Sequence, residues 1–189
     1  MKKIGIFGAH CTGKTELAGR IQDVLSGLGK STIAISEVAR DCRFGVNQDM
    51  TEDGQRWMFH EQILRELNLK DRYEFMICDR TALDPIVYAH AGGLWEMAQY
   101  YLLAATDWMK TYDHLYFCRP DGRPLVDDGF RDLDPAWHAR IDHVFEKYLF
   151  RYSLSKRAMT VRGAVSDAVI LNDILDRNFF GDAPCKSES

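Results

Sequence analysis

No apolar run in this 189-residue chain approaches 18 residues, so nothing in it reads as a membrane span. No C-x-x-C pair occurs. The five cysteines, Cys11, Cys42, Cys78, Cys118 and Cys185, are odd in number, which argues against a disulfide framework or a zinc site. Cys78 and Cys118 lie in apolar, strand-like runs and read as small buried hydrophobes. Positive charge is not in excess: 24 Lys and Arg stand against 28 Asp and Glu, a net −4. That balance argues against a nucleic-acid coat while leaving room for a local basic cleft. Internal repeats are missing too, and the chain enters a strand at once, so no signal peptide is expected. These absences point to a soluble, cytoplasmic protein with no membrane partner.

What remains is globular in balance, 46% hydrophobic and 28% charged. The length suits one domain, over 1–180, followed by a tail at 181–189 with few apolar anchors. Five strand candidates recur: Lys3–Gly8, Thr32–Ser36, Glu74–Asp79, His114–Cys118 and Met159–Arg162. Helical patterns lie between them, including 51–71 behind a Thr51 cap, 94–111 and 135–153. Strand and helix in alternation predict an α/β fold with a parallel sheet between two helical layers.

One stretch organises the rest. Gly8-Ala9-His10-Cys11-Thr12-Gly13-Lys14-Thr15 reads G-x-x-x-x-G-K-T between an apolar strand and an amphipathic helix. Glycines at 8 and 13 let the backbone turn and approach a phosphate. Inward N–H groups and the helix N-terminus supply positive potential there. Gly8, His10, Cys11, Thr12, Gly13, Lys14 and Thr15 are therefore the candidate nucleotide-binding residues. Lys14 reaches the β- and γ-phosphates, and the Thr15 hydroxyl is a candidate Mg²⁺ ligand.

Acids and arginines follow the other strands. In an open parallel sheet, ligands sit outside the carboxyl ends of the strands. Glu37, after the second strand, is placed to take a proton from an attacking hydroxyl. Arg40 is a candidate grip for an anionic substrate group. Asp79, after the third strand, is a candidate to hold Mg²⁺ directly or through water, and Arg80 beside it to neutralise a phosphoryl group. Gln55 or Gln62 can read a base edge. Trp57 and Phe59 read first as core, and Tyr88 as core or cleft wall. The segment 119–133, dense in charge with Gly and Pro, reads as a lid. Arg119, Arg123 and above all Arg131 are its candidates to close on a transferring phosphate. The turn 162–165 is a place for an adenine ring.

Together, GAHCTGKT, SEVAR, CDRTALDPIVYA and YFCRPDGRPLVDDGFRD resemble the NadR-like P-loop kinases. That group includes AAA ATPase-like, nicotinamide-riboside-kinase and thymidylate-kinase-like relatives. The resemblance covers about residues 2–175. It implies strand order 2-3-1-4-5, and ATP with Mg²⁺ as phosphoryl donor and metal. It places Lys14 and Thr15 on ATP and Mg²⁺, Asp79 as the acid after the third strand, and Arg131 in the lid. Cys11 stands where relatives often have Ser; the loop uses its backbone at that position. The expected activity is phosphoryl transfer to a small nucleoside or nucleotide, with Lys14, Glu37, Asp79 and Arg131 catalytic and Glu37 or Asp79 as base. Arg40, Gln55, Arg80 and Tyr88 are the expected acceptor contacts, and a homodimer is possible. Two other readings stay open: a nucleotide-dependent ATPase or switch, which the absence of Asn-Lys-x-Asp weakens for GTP, and a kinase acting on modified bases in DNA.

Overall fold

The computed structural model describes residues 1–127, 129, 131–164 and 166–179. Positions 128 and 130 of the expected lid, 165 of the expected adenine turn, and the tail at 181–189 with Cys185 lie outside the described residues.

Eleven main elements alternate along the chain: β1 (Lys2–Phe7), α1 (Lys14–Gly27), β2 (Thr32–Ile35), α2 (Glu52–Asn68), β3 (Phe75–Asp79), α3 (Leu83–Ala91), α4 (Trp95–Met109), β4 (His114–Arg119), α5 (Pro135–Arg151), β5 (Ala158–Arg162) and α6 (Asp167–Phe179). The five strands form one sheet in the order β2-β3-β1-β4-β5, every pair parallel. This is the expected order.

Burial on both faces explains why β1, β3 and β4 read as continuous apolar runs, while the edge strands β2 and β5 stay partly exposed. One face packs α2, α3, α4 and α5 over Phe7, Met76, Cys78, Leu115 and Phe117. The other packs α1 and α6 over Ile4, Ile6, Ile77, Tyr116 and Cys118. Along α1, Leu17, Ala18, Ile21 and Leu25 are buried, the helical stripe the sequence shows. Ile170 and Ile174, one turn apart on α6, complete that layer. The sequence reading placed no element after the 162–165 turn, so α6 is an addition.

Local chemistry sets the helix starts. The Thr51 hydroxyl accepts from the Gly54 N–H at 3.1 Å and opens α2. Asp134 accepts from the Ala136 N–H at 2.8 Å, with Pro135 at the first turn of α5. Both helices end two or three residues before the expected points, at Asn68 and Arg151.

The register brings the functional ends together. Ile6 pairs with Asp79, and Ile35 with Cys78. The segments after β1, β2 and β3 thus leave the same edge of the sheet. The strand order reverses around β1, between β3 and β4, where α/β sheets open a crevice for ligands. No helix among the described residues is long and apolar enough to cross a membrane.

Candidate active site

The loop 8–13 leaves β1 in conformations that suit a phosphate cradle. Gly8 has φ +134°, and a Cβ there would lie 2.1 Å from the Cys118 carbonyl oxygen. Gly13 has φ +79° and Cys11 φ +55°. Left-handed residues spaced this way turn successive N–H groups inward. Lys14 is buried. Its ammonium donates to the Ala9 carbonyl and lies 3.3 Å from the Thr12 hydroxyl. Burial, with Arg80 nearby, pulls its pKa down to about 8.

Thr15 opens α1 and Asp79 closes β3. The Thr15 hydroxyl donates to a carboxylate oxygen of Asp79 at 2.6 Å. A hydroxyl and a carboxylate side by side form a hard oxygen pair, the donor type Mg²⁺ takes when phosphates and waters complete its shell.

Behind the loop, Arg80 organises a buried hub. Its Nε and Nη2 both donate to one oxygen of Glu37, at 2.8 and 2.5 Å. Its Nη1 lies 3.2 Å from the Gly8 carbonyl, 3.3 Å from Asp84 and 3.2 Å from the Tyr88 hydroxyl. Arg80 adopts φ +100°, strained for a residue with a side chain, and its N–H donates to the Ile6 carbonyl at 2.9 Å. Burial would raise the Glu37 carboxyl, but Arg80, Lys14 and Arg40 outweigh it and hold it below its ordinary value. Asp84 goes the other way: burial raises it despite Arg80 and Lys14.

Two clefts meet at this hub. One, about 760 Å³, runs along the phosphate loop past Lys14, Thr15, Asp79 and Arg123. The other, about 590 Å³, is walled by α2 and α3 and includes Gln55, Met58, Gln62 and Tyr88. His10, Glu37, Arg80 and Arg131 line both. A smaller recess of about 300 Å³ beside the loop is bounded by Arg123, Val161, Gly163 and Ala164, at the turn expected to take adenine.

The candidate residues separate by position. Gly13, Lys14 and Thr15 line the first cleft, as do His10, Cys11 and Thr12. Gln55, Arg80 and Tyr88 line the second. Arg131 reaches in from the expected lid, with Nη1 4.0 Å from the Cys11 sulfur. Arg40 pairs with Glu37 at 3.3 Å but borders neither cleft. Arg119 is held at the foot of the lid by Asp142 and Glu146 of α5, both at 2.6 Å, and borders neither cleft. Phe59 is core, and Trp57 borders neither cleft.

Two contributors were not read from the sequence. Asp84 accepts from both the N–H and the hydroxyl of Thr81, each at 2.8 Å. The signal was present: Thr81-x-x-Asp84 has the spacing of a capping box. His138 on α5 lies with Nε2 2.7 Å from the His10 carbonyl oxygen, its ring 4.8 Å from the His10 ring. No sequence pattern joins residues 128 positions apart. Burial, then His138, Arg80 and Lys14, lower the His10 pKa to about 4.

A parallel sheet in this order, with a glycine loop at its reversal point, is the fold of P-loop nucleoside and nucleotide kinases. A family model described as an AAA domain matches residues 3–167, so the chain belongs to that family. No curated protein matches it. The fold is similar to that of NadR solved with NR, at TM-score 0.67 and 17% identity, covering 99% of this chain and 54% of that one. It is also similar to Candida albicans thymidylate kinase, at TM-score 0.64 and 18% identity, covering 94% and 92%. Deoxyadenosine kinase from M. mycoides, solved with bound dATP, matches at TM-score 0.61 and 14% identity, covering 94% and 99%. The chain thus spans about half of NadR and nearly all of the other two. The P-loop kinases expected from the motifs are the structures this fold matches.

Proposed function

We propose that this protein is an ATP- and Mg²⁺-dependent kinase that phosphorylates a hydroxyl of a small nucleoside. The observation that carries the reading is the position of Glu37, on the wall shared by the two clefts and held there by a guanidinium already committed elsewhere. The donor's triphosphate lies along residues 8–15, its base in the recess by Gly163 and Ala164, and the acceptor between α2 and α3. Glu37 orients the acceptor hydroxyl and takes its proton. The lowered carboxyl keeps it ionised at neutral pH, and so ready to accept. Lys14 and Arg131 balance charge on the phosphoryl group as it crosses.

Thr15 and Asp79 would hold Mg²⁺, which would neutralise phosphate charge when bound. That occupies Asp79 and leaves Glu37 as base, the alternative the motifs left open. Arg80 spends its donors on Glu37, Asp84, Gly8 and Tyr88. It therefore acts as a positioning group, which favours a hydroxyl acceptor over one that already carries a phosphate. The test is ATP consumption across nucleosides and their 5′-monophosphates. Turnover with a nucleoside, lost in Glu37→Gln, supports the reading. Turnover confined to monophosphates, or retained in that variant, overturns it.

A further inference from the structure

Behind the acceptor cleft lies a buried polar cluster that phosphoryl transfer does not use. Glu66, on α2, is 2% exposed. Its carboxylate accepts from Lys3 Nζ at 2.6 Å, Trp108 Nε1 at 2.8 Å, the Tyr112 hydroxyl at 2.5 Å and Gln62 Nε2 at 2.9 Å. Lys3 is in turn held by the Thr111 hydroxyl at 2.5 Å. These groups come from β1, α2, α4 and the turn before β4, so the cluster ties the central strand of the sheet to the cleft wall.

Its consequence falls on Gln62. Four donors converge on Glu66, which has no hydrogen to offer the amide. Gln62 can meet it only through its NH₂ group. The orientation of this glutamine is therefore fixed by chemistry, because the flipped amide would set a carbonyl against a carboxylate. The remaining atom, Gln62 Oε1, is buried with no partner, in a residue 1% exposed that lines the acceptor cleft. Gln55, seven residues earlier on the same face of α2, also has an unpartnered buried Oε1 and lines the same cleft. A buried carbonyl without a donor is costly, and a ligand that supplies one recovers that cost.

We propose that Glu66 is a positioning residue for acceptor choice. Through Gln62 it presents a carbonyl oxygen to the cleft, and this selects acceptors whose ring carries an amino or carboxamide N–H donor at the end remote from the reacting hydroxyl. The inference rests on the kinase reading and names the substrate class within it. Met58, between the two glutamines on the α2 face, makes the rest of that wall apolar. An acceptor lacking the donor therefore leaves the buried carbonyl without a partner from the ligand. Sites built this way reject analogues lacking the matching group more strongly than purely apolar pockets do.

The experiment compares KM and kcat within matched pairs: adenosine and purine riboside, cytidine and its 4-deamino analogue, nicotinamide riboside and nicotinic acid riboside. Deoxyribosides serve as a second set. The native protein should favour the donor-bearing member of the pair it accepts by about 10- to 100-fold in kcat/KM, mainly through KM. In Gln62→Met that ratio should fall to near one. In Glu66→Gln, whose amide lets Gln62 turn over, it should fall or invert. General damage to the fold would lower both members alike and leave the ratio standing, so the ratio reports positioning. Should Glu66→Gln not fold, Gln62→Met carries the test alone. Transfer with no preference, or a preference that survives Gln62→Met, overturns this inference. Absence of ATP-driven transfer to any nucleoside overturns the kinase reading and this inference with it.

Discussion

The two clefts are built in opposite ways. On the proposed reading, the phosphate side is mainly eight consecutive residues, Gly8 to Thr15, whose work is done by backbone N–H groups, one lysine and the Thr15 hydroxyl. Its shape follows from φ angles at 8, 11 and 13. The acceptor side draws on segments from β1, the turn after β2, α2, β3, α3 and the lid, and its work is done by side chains holding other side chains. A site made of backbone tolerates changes in most side chains, because the peptide groups stay. A site made of a side-chain network fails or changes preference when one member is altered. Divergence of acceptors on a constant donor site is the outcome such a division favours.

That contrast can be broken at either half. The largest effect should come from Lys14→Ala, which removes the only side-chain charge in the loop; transfer should fall about 10³-fold or more. Near-normal single-turnover rates in that variant would sink the donor assignment. Glu37→Gln should cost about 10²-fold in kcat while ATP binding, read by calorimetry, stays close to native. Equal loss of ATP affinity would merge the two halves into one. Arg80→Lys keeps the charge but loses the fork that grips Glu37. It should lower stability by about 1–3 kcal/mol in urea unfolding and slow transfer, and an unchanged midpoint would contradict the hub.

Two smaller effects depend on pH. Free His10 takes a proton near 6.5 but the folded one only near 4. As pH falls from 6.5 to 4, the unfolded chain gains a proton the folded chain refuses. Stability should drop across that window by at most about 1.4 kcal/mol per pH unit from this group, and His10→Gln should flatten the slope. Lys14 loses its proton near pH 8 in the folded protein. Triphosphate binding should therefore weaken above pH 8 and take up a proton, which calorimetry in buffers of different ionisation heat would detect. No proton uptake would place Lys14 away from the phosphates.

What could be read beforehand follows the same division. The strands, the loop and the positions of the acids at 37 and 79 were legible because each is an apolar strand or sits at a fixed offset from one, whereas the sheet order came only through the resemblance to the NadR-like kinases. Asp84 was legible in principle through its spacing from Thr81, although only the structure shows it sharing Arg80 with Glu37. His138, Glu66 and Lys3 were not legible: apart from Gln62, four positions from Glu66, their partners lie 128, 42 to 63 and 63 to 108 positions away. Arg119 shows the converse. Its charge and its place at the root of the lid suited a phosphate, but two carboxylates on α5 lie nearer and hold it. Charge alone does not tell a ligand from a brace; that depends on which opposite charge the fold brings closest.

The brace at Arg119 has a mechanical corollary. Arg119 ends β4, one residue past the carbonyl on which Gly8 rests, and Asp142 lies on the helix that receives the chain from the lid. Both ends of the 120–134 segment are thus stapled to one frame, and that frame includes the phosphate loop. A contact made with a ligand by the described residues of this segment therefore need not separate its ends or shift the strand and loop to which they are tied.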